Sequence, residues 1–415
     1  MEVLYGTCCG VDVHKKLLVV CLRRGKKTEI RNFGTTTREL FTLAEWLKQS
    51  NCEMTAMEST ASFWKPLYNV LEAYQLPAMV VNAQHMRAVP GRKTDVKDAE
   101  WIADLCQHGL LRASYIPDKG QRELRELIRY RKSLIEDHTR EVNRLQKMLE
   151  GANIKLSSII NNINGTTGRN LIEKILSGEK IDGDVYDAMY ATHAIAHNLK
   201  ATKEELIAGL EGIVTDLQRR MMRELTLHLN ELEAHIQHLD DEIDQFMTPD
   251  ETAAASAIEE IPGIGHDSAQ AIISVIGTDM SRFPSANHLS KWAGLCPGNN
   301  ESAQKQKSGR TTKGNKVLRT TLVTCAHSAV KVKQSFFSAQ FHRISARRGS
   351  KRAYVAVAHS ILIAIYNVLS KGEVFRDLGS DYYDQFNKEH KANSMVRRLK
   401  ELGYEVTIAT AALSV

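Results

Sequence analysis

No aspartate or glutamate occurs from Ser302 through Gly372, although 25% of the 415 residues are charged. Fourteen lysines and arginines fall in that stretch, so the rest of the chain carries −8 against an overall +6. Ordinary solvated faces intersperse both signs, whereas this segregation concentrates a positive field on one C-terminal region. A polyanion is the natural partner of such a field, and nucleic acid is the first candidate.

Other absences narrow the class. The longest apolar stretch, residues 354–369, is interrupted by His359 and Asn367 and falls short of the roughly 20 residues that span a bilayer, so no membrane partner is expected. Residues 1–9 lack the basic start, apolar run and small-residue cleavage site of a secretion signal, and a cytoplasmic location is expected. The seven cysteines are scattered, and the adjacent pair Cys8-Cys9 suits neither a zinc knuckle nor an ordinary disulfide, so free thiols are expected. With 43% hydrophobic residues the chain is neither disordered nor fibrous. Its length exceeds what one core organises, which predicts two globular domains and an elongated part.

Strand and helix patterns alternate over the first 118 or so residues. Residues 10–13 and 17–22 are apolar and β-branched, and 28–33 alternates, which predicts three antiparallel strands. Leu40, Leu43, Ala44 and Leu47 stripe a helix over 36–49; a short strand over 54–58 ends on Glu58; 62–74 is helical and 77–82 is a buried strand. The order β-β-β-α-β-α-β-α is that of an α/β RNase H-like sheet, which carries catalytic carboxylates on the first strand, the fourth strand and a later helix. From Pro117 a long charged helix follows, with Leu124, Leu127, Arg131, Leu134, His138, Val142 and Leu145 near heptad spacing. Leu225, Leu229, Leu232, Ile236, Leu239, Ile243 and Phe246 repeat likewise, and Leu206, Leu210, Ile213 and Leu217 extend the pattern upstream. The successive steps of four from Leu217 to Met221 to Leu225 predict a stutter. Residues 157–200, with short helical pieces and several glycines, read as the tip of an antiparallel hairpin that serves as a spacer or a dimerisation arm. A third, mostly helical region begins at Ser256 and ends near Gly372. The tail after it has a helix over 394–402 and a strand over 404–409.

Asp12 stands in the middle of an apolar strand, where an acid is costly unless a cation compensates it. Glu58 ends the next inner strand. Asp95 and Asp98, three apart at the opening of an amphipathic helix, share one face, while Glu100 and Asp104 point elsewhere. Four such carboxylates supply hard oxygen ligands for one or two Mg2+, and two ions about 4 Å apart can activate both oxygens of a phosphoryl exchange. Singly the acids have plainer readings: Asp95 as a helix cap, Glu58 as a partner of a lysine. His14 reads as a neighbour of Asp12, one pleat away on the same face. A first-strand acid also opens the sugar-kinase and actin-like ATPases, but the helical second half offers none of the glycine-rich phosphate turns they need.

In the third region Ile261-Pro-Gly263-Ile-Gly265, before a helix over 267–276, is similar to a helix-hairpin-helix turn, whose glycines let backbone amides approach a phosphate. A polar loop then runs through Gly298-Asn-Asn-Glu-Ser302 and Ser308-Gly-Arg310 into another helix, lined by Lys305, Lys307, Arg310, Lys313, Lys316 and Arg319. A serine among such cations can attack a phosphodiester, because they favour its ionised form and stabilise the developing charge.

Taken together, Gly-Val-Asp12-Val-His-Lys, Met-Glu58-Ser-Thr, Lys-Thr-Asp95-Val-Lys-Asp98-Ala, Ile-Pro-Gly-Ile-Gly and Gly-Leu-Cys-Pro-Gly-Asn-Asn-Glu-Ser302 resemble the DEDD transposases of the insertion-sequence IS one-ten group. That group includes Piv-type DNA invertases and bridge-RNA-guided recombinases. The resemblance spans nearly the whole chain and implies a RuvC-like domain over 1–117, a coiled-coil arm with a helical tip over 118–250, a helical transposase domain over 251–372 and an accessory tail over 373–415. It implies that Asp12, Glu58, Asp95 and Asp98 are a magnesium-binding tetrad and that Ser302 forms a covalent phosphoserine link to DNA. It further implies donor and target DNA, a structured guide (bridge) RNA, and a homodimer or homotetramer as partners. Ser302 is followed by Ala303 where many relatives have glycine; Ser308, which precedes a glycine, is the alternative nucleophile. A RuvC-like junction nuclease that does not rejoin strands, and a non-enzymatic nucleic-acid-binding coiled-coil protein, are the competing functions.

Overall fold

A computed structural model describes residues 3–59, 61–82, 95–297, 300–302, 305–308, 311–386 and 388–406; of residues 95–97, 300–302, 305–308, 384, 386 and 388–391 it describes the backbone alone. The chain divides into two compact units, Met1–Asp118 and Lys119–Val415.

The first unit is a mixed five-stranded sheet with helices on both faces. Strands β1 (Thr7–Val13), β2 (Leu17–Arg24) and β3 (Lys27–Gly34) form an antiparallel meander. Helix α1 (Thr37–Gln49) leads into β4 (Met54–Glu58), α2 (Trp64–Ala73) into β5 (Ala78–Val81), and α3 (Asp95–Gln107) closes the unit. The strand order is β3-β2-β1-β4-β5, with β4 parallel to both β1 and β5. β1 is therefore the central strand, which explains its nearly unbroken apolar sequence. Its alternate residues serve two cores: Cys9, Val11 and Val13 join Leu40, Leu43, Leu67 and Leu71 of α1 and α2, while Cys8 packs with Ala56, Ile102 and Cys106 on the α3 side. All seven cysteines are free thiols.

In the second unit α4 (Lys119–Gly151) runs out to a helical tip made of α5 (Leu156–Ile159), α6 (Thr166–Ser177), α7 (Gly183–Ala191) and α8 (Lys203–Leu210), and α9 (Asp216–Phe246) returns. The two long helices are antiparallel: Ile128 meets Ile243 in one cluster, Leu134 meets Leu232 and Leu239, and Leu145 meets Met222 and Leu229 at the tip. Glu233 of α9 ties the tip down through His138 (3.0 Å), Asn164 (2.9 Å) and Arg169. Burial works to raise the pKa of that carboxyl, and the hydrogen bonds from Arg169, Asn164 and His138 prevail, holding it below the usual range.

The heptad pattern upstream of Leu225 does not correspond to a continuous helix. The chain breaks after Leu210: Lys155 N–H donates to the Gly209 carbonyl (2.7 Å), Ile213 N–H donates to the Ala152 carbonyl (3.0 Å), and α9 starts afresh on a capping box between Thr215 and Gln218. Ile213 (85%), Leu217 (59%) and Met221 (50%) are exposed, so the stutter read from their spacing is absent from the packed seam.

Past α9, helices α10 (Pro249–Glu259), α11 (His266–Ile276), α12 (Ala286–Trp292), α13 (Lys316–Ala329), α14 (Phe336–Arg348) and α15 (Ser350–Lys371) share one core. The polar loop before α13 is a small hairpin, β6 (Asn300–Ser302) and β7 (Lys305–Ser308), which the sequence does not signal because neither strand has an apolar face. α15 is long and apolar enough to cross a membrane by length and composition, but Val357, Ile361, Leu362 and Ile365 bury one side of it in the core. Two short helices, α16 (Tyr382–Phe386) and α17 (Lys388–Glu401), follow. α17 begins earlier than expected; 404–406 is not a strand, and 407–409 lie outside the described residues.

Arg131 of α4 joins the long hairpin to this core. Its side chain is 4% exposed and donates to Asp240 (2.8 Å) and to the buried Gln270 (2.9 Å), with Asp267 at 3.4 Å. We expect Arg131→Ala to lower stability by about 3 kcal/mol, since it strands the partners of a buried cation. Arg131→Met should cost less, because its stem fills the same space. Urea midpoints of the two variants measure the difference, and equal losses would assign the whole effect to the lost charge and none to packing.

Candidate carboxylate site and serine hairpin

Alternation along β1 puts Cys8, Gly10 and Asp12 on the face that α3 covers. The parallel register pairs Val11 with Met57, so its continuation sets Glu58 beside Asp12; Ala56, two residues earlier, packs on the α3 side, and Glu58 shares its face. α3 crosses this face without a spacer. A Cβ on Gly10 would stand 2.3 Å from the Ala99 carbonyl oxygen and 2.4 Å from the Ala103 nitrogen. Cys8, one pleat back, hydrogen-bonds the Ala103 carbonyl at 3.4 Å and packs with Ile102 and Cys106. The helix therefore runs antiparallel to β1, and Asp12, one pleat onward, falls at its first turn, where Asp95 opens α3 and Asp98 follows.

Ala99, Ile102, Ala103 and Cys106 are the buried stripe of α3, and positions 95 and 98 continue that stripe toward its N-terminus. The backbone thus carries the four predicted acids to one end of one sheet face, at the carboxyl ends of the parallel strands β1 and β4. Asp12 is 6% exposed, Glu58 and Asp98 are half-buried, and the Asp95 side chain lies outside the described residues. Among the described residues no three His, Cys, Asp or Glu side chains close on a single metal position. The donor set itself, carboxylate oxygens with one of them buried, suits a hard divalent cation.

His14, read as a neighbour of Asp12 one pleat away on the same face, is such a neighbour: its ring lies 3.0 Å from the Asp12 carboxylate, Nε2 to Oδ2. β1 ends at Val13, which frees His14 to fold back. The spacing Asp-Val-His is the only signal of this pairing in the sequence. Asp104, expected to point away, does so and pairs with Arg23 (2.8 Å).

The second constellation stands on the helical unit. Asn315 caps α13 by accepting from the Leu318 N–H, and the segment leading to it is stitched to the end of α12: Pro297 bridges Thr311, Thr312 N–H donates to the Cys296 carbonyl (3.2 Å), and Asn315 N–H donates to the Trp292 carbonyl (3.3 Å). Gly294 and Gly314 cross so closely that a Cβ on Gly314 would lie 2.2 Å from the Gly294 nitrogen. The hairpin β6–β7 springs from this crossing. Ser302 ends β6 and pairs in register with Lys305 at the tip, whereas Ser308 pairs with Asn300 at the root. Lys313 and Lys316 are exposed and Arg319 is half-buried; the side chains of Lys305 and Lys307, and all of Arg310, lie outside the described residues.

Gly263 packs against α13. Its φ of +88° and its approach to α13, 2.4 Å from a would-be Cβ to the Cys325 carbonyl, make it a packing residue. Gly265 caps α11 and is exposed, but carboxylates surround that helix start: His266 bridges Glu259 (2.9 Å) and Asp244 (3.3 Å), and Asp267 lies in the first turn. The Glu259 carboxylate foremost, then Asp244, raises the His266 pKa against its partial burial. A phosphate would meet the wrong charge there.

Comparisons with known proteins match two segments of the chain. Residues 9–154 match a DEDD family model described as "Transposase", and residues 255–342 match "Transposase IS116/IS110/IS902 family". The transposase for insertion sequence element IS1111A of Coxiella burnetii is 23% identical over 376 residues, 89% of this chain and 87% of that protein. The pilin gene-inverting protein of Moraxella lacunata is 30% identical over 145 residues, 34% of this chain and 45% of that protein. Among solved structures, T. thermophilus RuvC in complex with a Holliday junction substrate aligns over 26% of this chain and 99% of its own, at 11% identity and a TM-score of 0.21.

Proposed function

Since this chain belongs to the IS116/IS110/IS902 transposase family and is an enzyme of that kind, we propose that it cleaves and rejoins DNA strands with a RuvC-like carboxylate site and a serine nucleophile. The observation that carries this reading is the convergence of strand β1, strand β4 and the first turn of α3, which brings the positions of Asp12, Glu58, Asp95 and Asp98 to one end of one face. Those four residues would hold Mg2+, which supplies Lewis-acid polarisation of a phosphodiester oxygen.

The chain's own residues do the rest. His14 orients the Asp12 carboxylate from outside the strand. Ser302, at the tip of a hairpin that follows the Gly294–Gly314 crossing, would supply the attacking hydroxyl. Its oxygen forms a bond to phosphorus, the bond to the departing deoxyribose oxygen breaks, and that oxygen takes the proton. Lys313, Lys316 and Arg319 stabilise the charge on the phosphoryl oxygens. The same reading takes the α4–α9 hairpin as a coiled-coil arm that pairs two or four copies, supported by the exposed Leu217 and Met221 four residues apart, and takes a structured RNA as the guide to donor and target DNA.

A denaturing gel for covalent protein–DNA adducts tests the nucleophile. Ser302→Ala should abolish the adduct and Ser308→Ala should retain it, and chelation of divalent metal should abolish it in both. The opposite pattern moves the nucleophile to Ser308. Undiminished cleavage by Ser302→Ala, leaving free 5′ phosphates, would make the protein a hydrolysing nuclease.

A further inference from the structure

Outside both constellations the helical unit carries a dense cationic corner. α14 ends on Arg347 and Arg348, Gly349 turns the chain at a φ of +80°, and α15 begins with Ser350, Lys351 and Arg352. All four cations are exposed, and among the described residues none of them forms an ion pair. Arg347 and Arg348 complement the negative end of α14, but Lys351 and Arg352 stand in the first turn of a 22-residue helix that has no acid there. The helix dipole opposes cations at that position, and four like charges repel one another. Such unrelieved local conflict marks a surface whose counter-charge comes from a partner.

The partner's form follows from where the corner lies. α13 starts at the root of the serine hairpin, and eleven residues later His327 stacks on Tyr354, one turn into α15, with ring centroids 3.6 Å apart. At 1.5 Å per residue the corner therefore stands roughly 16 Å from the start of α13, the helix that follows the hairpin. Lys316, Thr320, Thr324 and His327 are all exposed along that helix, a track with no acid in it. Sixteen ångströms matches about five base pairs, half a turn, at the 3.4 Å spacing along one strand.

We propose that Arg347, Arg348, Lys351 and Arg352 form an anchor for the phosphate backbone of duplex DNA, about half a helical turn from the phosphate that meets the start of α13. The family match ends at Arg343's neighbour, residue 342, so the corner lies beyond it. The anchor rests on the reading of the hairpin as the DNA-cleaving element. It holds DNA by charge alone and reads no sequence.

The test compares the full-length protein with its Arg347→Ala/Arg348→Ala/Lys351→Ala/Arg352→Ala variant, by fluorescence anisotropy on a labelled 30-base-pair duplex and on single-stranded RNA of equal length, across a salt series. Duplex affinity should fall on the order of 100-fold at 0.1 M salt, and the slope of log affinity against log salt should shrink by about 3. The variant with all three arginines changed to lysine should keep the wild-type slope, which separates charge from folding. Phosphate ethylation interference should show a set of sensitive phosphates, separate from the cut, that the four-fold alanine variant loses. An unchanged slope, or a loss confined to RNA, overturns the anchor; if Ser302→Ala still abolishes the covalent adduct, the proposed function survives that failure. A wild-type protein with neither adduct nor duplex affinity overturns both.

Discussion

Asp12→Asn is expected to lower strand cleavage by a factor on the order of 1,000 or more while leaving the fold as stable as before, or more so. The two halves of this expectation have one cause. The carboxylate is 6% exposed in the central strand of the sheet, where desolvation opposes its charge. Asparagine keeps the shape and removes that charge, so the metal-free protein gains or loses little. The proposed reaction loses one of its four carboxylate donors. Chemical denaturation and a strand-exchange assay on the same preparation read the two quantities. A variant that is inactive because it is unfolded would give Asp12 a structural role, and one that stays active would remove the carboxylate site from the reaction. His14→Ala, which takes away the 3.0 Å partner, should give an intermediate loss with the fold intact.

Gly10→Val is expected to have the largest effect on stability, about 3 kcal/mol or more, and to take activity with it. Its first side-chain carbon would meet backbone atoms of α3 at 2.3 and 2.4 Å, and backbone cannot yield as the end of a flexible side chain can. Either the helix lifts from the sheet or the strand bends. In both cases Asp98 moves away from Asp12, because Ala99 and Ala103, the residues in contact, lie on the helix that carries it. Hydrogen exchange should show α3 amides losing protection before those of α1, which packs on the opposite face. Equal loss of protection in both helices would mean that the unit unfolds as a whole and that Gly10 has no selective hold on the site.

Asp12 and Glu58 were legible as a pair because a strand repeats every two residues, so one apolar pattern interrupted by an acid states both the element and the face. Asp95 and Asp98 were legible in the same way through helical spacing. Ser302 was singled out by the cations around it and by the resemblance of its segment, while the hairpin that bears it went unseen: residues 300–308 are polar on both sides, and hydrophobic periodicity has nothing to report there. The break after Leu210 was hidden for the opposite reason, since Ile213 and Leu217 keep the heptad rhythm but are exposed.

Where the pattern is apolar and packed, local sequence therefore established which elements form, which face each buries, and which residue types are candidates for chemistry, because these depend on side chains a few positions apart. Tertiary packing alone decided that α3 lies on Gly10 and so aims its first turn at Asp12, that Gly294 and Gly314 cross between the end of α12 and the start of α13, that Gly263 packs on α13, and that His327 on Tyr354 sets the basic corner one helix length from the start of α13. Each of these joins residues that are far apart in the chain. Their meeting is settled by how whole faces fit, a quantity that no short stretch of sequence contains.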